Sequence, residues 1–169
     1  MSESLCYFKI LDKNYSGINP FNINEGNIKK MNYFEGSVLM DKLFNKLKIL
    51  QKREKKYIGI ELKDIVDINL GKQMENIIKI YKIYLKIGKN QKNFDINKFI
   101  STKEITDIRM HQYEKINAIK CKYFVFSIIM KKRFIPKVEF IFYNYEDFNM
   151  WYNCLNSVVK LNCPDKDKK

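Results

Sequence analysis

The stretch Tyr143–Leu161, YNYEDFNMWYNCLNSVVKL, constrains this chain more than any other. Phe148, Trp151, Leu155 and Val159 recur three or four residues apart, which lines them along one face of an α-helix. Asn144 stands where an N-cap is expected, and Glu146 and Asp147 follow in the first turn, where the helix dipole favours negative charge. Pro164 closes the segment from beyond the last apolar position. Asn149, Asn153, Asn156 and Lys160 fall on the opposite face and suit water. A helix this amphipathic needs an apolar surface to cover. Phe148, Trp151 and Leu155 are therefore expected to be structural core contacts, and the rest of the chain must supply their partners.

Strand-like segments precede it. Phe124, Phe126 and Ile128 alternate within Tyr123–Met130, the segment KKRFIPK turns the chain, and Val138, Phe140 and Phe142 alternate in the next strand. Further upstream, Val66, Ile68 and Leu70 alternate up to Gly71. Strands are also expected over Ile78–Ile80, Tyr81–Ile87, Phe94–Ile96 and Ile105–Ile108, from their Ile and Tyr content. His111–Lys120 is polar and reads as a loop. The expected fold is mainly β with α: about seven antiparallel strands in a barrel or sandwich, its open end plugged by the C-terminal helix.

The first third reads differently. Residues 1–36 are rich in Asn and punctuated by Gly17, Pro20, Gly26 and Gly36, which predicts an irregular extension. Ser37 reads as an N-cap, and Leu39, Leu43, Leu47 and Leu50 share a helical face, so a basic amphipathic helix is expected over 37–55. Residues 57–162 then form the domain, and 163–169 a polar tail. At 169 residues, with 46% hydrophobic and 14% aromatic content, the chain can build a core.

A net charge of +13 favours an anionic partner: a phospholipid surface, an acidic protein or nucleic acid. Lysine abundance can also reflect compositional bias, so placement matters more than the total. Nucleic acid ranks last, because no recognised binding motif is present. Cys6, Cys121, Cys154 and Cys163 are scattered and never form C-x-x-C, which implies neither a zinc site nor a disulfide framework and favours a reducing, cytoplasmic setting. No apolar run is long enough to span a bilayer, so membrane attachment would come from the folded surface. The phosphate-loop, dinucleotide and zinc-hydrolase motifs are absent, and His111 has no carboxylate–nucleophile pattern around it. No catalytic residue, metal or cofactor is expected.

The hairpin YFVFSIIMKKRFIPKVEFIFY followed by EDFNMWYNCL resembles the end of a pleckstrin-homology (PH) domain, and FISTKEITDIRM is similar to strands 4 and 5 of PH domains from phosphoinositide-specific phospholipases C. The resemblance runs from about Tyr57 to Leu161 and excludes the catalytic barrel of those enzymes. It implies an open barrel end lined by the loops between strands 1 and 2, 3 and 4, and 6 and 7, where family members bind phosphoinositides. It implies Lys72 at the end of strand 1, and Lys79 and Lys82 where the family carries a basic-x-Arg pattern. The last loop adds Lys131, Lys132, Arg133 and Lys137 around Phe134 and Ile135, a basic tip with two side chains able to enter a lipid interface. A non-catalytic module on the cytosolic face of a membrane follows as the first expectation. A PH-fold protein-interaction or scaffold module is the alternative.

Overall fold

The structure, a computed structural model, describes residues 3–15, 17–131 and 134–164, apart from the side chain of Lys72. Seven strands form one sheet: β1 (Ser4–Leu11), β2 (Phe34–Met40), β3 (Lys46–Gln51), β4 (Tyr57–Glu61), β5 (Ile65–Asn69), β6 (Phe124–Met130) and β7 (Lys137–Phe142). Their order is β4-β3-β2-β1-β7-β6-β5, and every neighbouring pair is antiparallel. The helices are α1 (Glu25–Lys30), α2 (Lys72–Ile87), α3 (Ile96–Ile100), α4 (Lys103–Thr106), α5 (Gln112–Ile119) and α6 (Tyr145–Asn162). The edge strands β4 and β5 do not pair, so the sheet is not closed. Yet residues 62–64 alone join them. Three residues reach only about 10 Å, so the sheet must curl until its two edges are close.

Strands β6 and β7 have buried residues on both faces, and the two faces are filled differently. Phe124 and Phe126 of β6, with Phe140 and Phe142 of β7, point inward and stack with Phe148 of α6 or with one another at ring separations of 5.5–6.5 Å. Phe148, Trp151, Leu155 and Val159 are all buried, as their spacing predicts. Trp151 is wholly buried, and its indole N–H donates to Ser4 Oγ at 2.9 Å, which ties the last helix to the first strand. Asn144 caps α6 by accepting from the Asp147 N–H at 2.8 Å. At the other end, the Asn162 amide donates to Leu62 O and Ile65 O, so the helix also covers the start of β5.

The outward face of β1 and β7 is covered by the chain between β1 and β2. Glu139 on this face accepts from the Tyr33 hydroxyl and from the Ile18 N–H. Lys137, buried beside it, donates to Tyr15 O at 2.5 Å. Gly17 has φ +83°, a left-handed conformation that favours glycine, and a Cβ there would also push the Glu139 carboxylate aside. The α2–α5 segment sits between β5 and β6 in sequence. Its Met74 Sδ accepts the Val125 N–H just beyond the end of β5, at 3.3 Å.

Several sequence expectations are corrected. The first 56 residues supply β1, β2 and β3 of the main sheet rather than an extension. The helix expected over 37–55 is the β2–β3 hairpin: Val38 and Met40, then Leu47 and Ile49, are buried in alternation. Asp41 makes the turn by accepting from the Asn45 and Lys46 N–H groups, and it leaves Leu43 79% exposed, off any helical core face. In the opposite sense, the strands expected over 78–87 are α2. Met74, Ile77, Ile78 and Tyr81 fall on one helical face, and this packing overrides the β preference of Ile and Tyr. The strand expected at Phe94–Ile96 is a turn into α3, capped by Asp95; that at Ile105–Ile108 is the end of α4 and the turn after it, and the His111–Lys120 loop is largely α5. The similarity of FISTKEITDIRM to paired strands is therefore not matched by its structure.

Candidate functional site

A depression of about 530 Å³ opens where the β1–β2 connection meets the β3–β4 turn. Tyr7, Tyr33 and Phe34 give it an aromatic lining, and Lys29, Lys52 and Arg53 stand at it with Asn32, Gln51 and Glu35. Local structure fixes both walls. On one side, Lys29 lies in the last turn of α1, which Asn24 caps by accepting from the Asn27 N–H, and Asn32 turns the chain back with φ +63°. Tyr33 is held from behind by Glu139, and Lys9 Nζ lies 5.5 Å from its ring centroid while donating to Met31 O at 2.6 Å. On the other side, Gln51 N–H donates to Lys56 O and Lys55 takes φ +52°, which makes a tight turn with Lys52 and Arg53 outward.

The electrostatics favour an anion. Lys52 makes an exposed 3.3 Å ion pair with Glu35, the one carboxylate at the depression. Among the described residues no ion pair involves Lys29 or Arg53. Arg53 offers the planar donor fork that suits a phosphate. Behind the wall, burial pushes the Glu139 carboxyl above its usual range, against the opposing pull of the Tyr33 hydroxyl, the Ile18 N–H and the Lys137 and Lys9 charges. Burial and the Glu139 charge together push the Tyr33 phenol up, so it stays a donor.

The residues singled out from sequence are dispersed. Lys131 is exposed at the β6–β7 tip, its N–H bound to Asp64 O at 2.9 Å. Phe134 is 97% exposed, whereas Ile135 packs partly against the core. Lys132 and Arg133 lie outside the described residues. Lys137 is not a surface cation: it is 3% exposed and serves Tyr15. Lys72 is the first residue of α2, and Lys79 and Lys82 are exposed further along it. Because Ile65 pairs with Met130 whereas Asn69 pairs with Ser127, α2 leaves β5 at the end away from the tip. Lys79 and Lys82 are thus not brought together with Lys131. The sequence pattern places Lys29 in an irregular extension and Lys52 and Arg53 on a helix, so it does not bring the three together. The signal available was REKK flanked by apolar alternation on both sides, a basic hairpin turn.

No family model matches the chain, and no curated protein and no solved structure matches it. Among the described residues, no helix is long and apolar enough to cross a membrane.

Proposed function

We propose that this protein is a non-catalytic module of PH-like architecture that binds anionic phospholipid or phosphoinositide head groups at a membrane surface. The observation that carries the reading is the depression between the β1–β2 and β3–β4 connections, with Lys29, Lys52 and Arg53 around an aromatic lining. Those connections are two of the three loops that the PH resemblance implies for a lipid site. Seven antiparallel strands and a terminal helix are also the elements it implies. Each basic residue near an anionic bilayer contributes about 1 kcal/mol, so Lys29 and Arg53, with Lys52 offset by Glu35, give a modest, salt-sensitive attraction. Phe134, exposed beside Lys131, adds a side chain able to enter the interface.

The basic-x-Arg pattern of the family is missing from the true second strand, FEGSVLM, which carries Glu35 instead. Recognition then rests on loop cations, and charge density outweighs stereochemistry in choosing the lipid. Sedimentation with phosphatidylcholine vesicles, with and without phosphatidylserine or a phosphoinositide, tests this. The protein should pellet only with the anionic vesicles, and less so as salt rises. A chain that stays in the supernatant with every vesicle would shift the assignment to a protein-interaction module.

A further inference from the structure

The two edges of the sheet are treated unequally. At β5 the Asn162 side chain occupies Leu62 O and Ile65 O, and Cys163 Sγ lies 3.7 Å from Val66 O. At β4, among the described residues, no further strand pairs, no register shift interrupts the β3–β4 ladder, and the sequence YIGIE holds no proline. Protected edges use such devices.

The hydrogen-bond phase says which groups are free. Gln51 N–H bonds Lys56 O at one end of the ladder, and Leu62 N–H bonds Asn45 O at the other. In an antiparallel pair the bonded residues alternate, so Ile58 and Ile60 face β3 with their amides. The N–H and C=O groups of Tyr57, Gly59 and Glu61 therefore point outward. Gly59 is exposed, and the exposed surface of a glycine is backbone. Among the described residues, only the edge of the Tyr57 ring, at 3.9 Å, approaches where its Cβ would be. A strand glycine of this kind marks a place where another backbone can come close.

Beside the edge lies a hollow of about 100 Å³, bounded by Gly59, Ile60, Met130, Phe134 and Ile135 together with the acidic residues Glu61 and Asp64, with room for one medium apolar side chain. Lysines stand along the edge and at the tip. Lys48 pairs across from Gly59, Lys56 and Lys63 flank β4 and are exposed, and Lys131 stands at the tip. Glu61 and Asp64 are the carboxylates at the hollow itself; Lys46 lies 3.6 Å from Glu61, and farther along the edge Lys56 lies 4.0 Å from Glu54. A second copy of a chain carrying +13 would meet like charge at this edge.

We propose that the outer edge of β4 accepts an extended acidic segment of a partner protein as an added strand, with one apolar side chain of that segment in the hollow beside the β6–β7 tip. Main-chain bonds to Tyr57, Gly59 and Glu61 supply the pairing, the hollow sets the register, and the lysines select acidic flanks. The inference is independent of the lipid reading.

Selection from a displayed library of random short peptides against the full chain, repeated with Gly59→Pro, provides the test. Proline at 59 removes an outward N–H and leaves the β3 ladder intact. Wild type should enrich sequences that alternate, carry one large apolar residue and have acidic flanks. The Gly59→Pro chain should bind the synthesised winner at least about tenfold more weakly, while its vesicle binding is unchanged. Should that variant misfold, amide exchange in the wild type decides: Gly59 and Glu61 should slow on adding the winning peptide. Three results overturn the proposal: no enriched family, enriched peptides that leave both amides unprotected, or a dimer that forms through this edge without peptide.

Discussion

Glu139 links the folding of this protein to its candidate site. It is 4% exposed, accepts from Tyr33 and Ile18, and holds the loop that forms one wall of the depression. Its pKa in the folded chain is raised by burial, above the roughly 4.3 usual for Glu. The folded state therefore binds this proton more tightly than the unfolded chain. The Glu139 contribution is most favourable below the unfolded pKa, falls as pH rises through the folded value, and is constant above it. Glu139→Gln, which keeps an acceptor for both donors, should flatten that slope in thermal melts across the acid range; an unchanged slope would assign the effect elsewhere. Trp151 fills the centre of the inner face. Trp151→Ala should cost about 3–5 kcal/mol, and Ser4→Ala, which strands the indole N–H, about 1–3 kcal/mol. Denaturant titration separates these two losses.

Among the elements, α6, β6 and β7 were legible from sequence because each carries a sustained single period. The N-terminal strands were not. β1 buries Cys6, Tyr7 and Phe8 in succession, since α6 and the β1–β2 connection cover its two faces, and alternation disappears. In β2 and β3 the leucines happen to fall at helical spacing, while the buried positions Val38, Met40, Leu47 and Ile49 carry the strand period. A close approach confirms the hairpin: a Cβ on Gly36 would stand 1.9 Å from Leu50 O, a backbone atom with little freedom to retreat. Gly36→Ala is therefore expected to cost more than the 1–3 kcal/mol typical of overpacking, read as a lowered unfolding midpoint. At the other end of the chain Asn144→Ala removes the α6 cap and should cost about 1 kcal/mol.

For the whole molecule, the curled sheet explains why the candidate site was only partly readable. The tip with Lys131 and Phe134 is contiguous in sequence and stands out as a basic, apolar turn. The depression is assembled from residues 7, 29, 32–35 and 51–53, which meet only because β2 folds back between β1 and β3. The α2–α5 segment, by contrast, places Lys79 and Lys82 on the exposed side of a packed helix beyond the end of β5 remote from the tip. Two pairs of lysine and arginine side chains thus separate a local site from the bulk charge of +13. The decisive measurement is the bound fraction of two charge-reversed proteins, Lys29→Glu/Arg53→Glu and Lys79→Glu/Lys82→Glu, on the same phosphatidylserine-containing vesicles at physiological salt. The two variants change the net charge equally. The account predicts that the first loses most of its binding, since it replaces two of the attractive charges at the depression with repulsive ones, and that the second stays close to wild type. Equal losses from both would contradict it and leave only the total charge to explain the attraction.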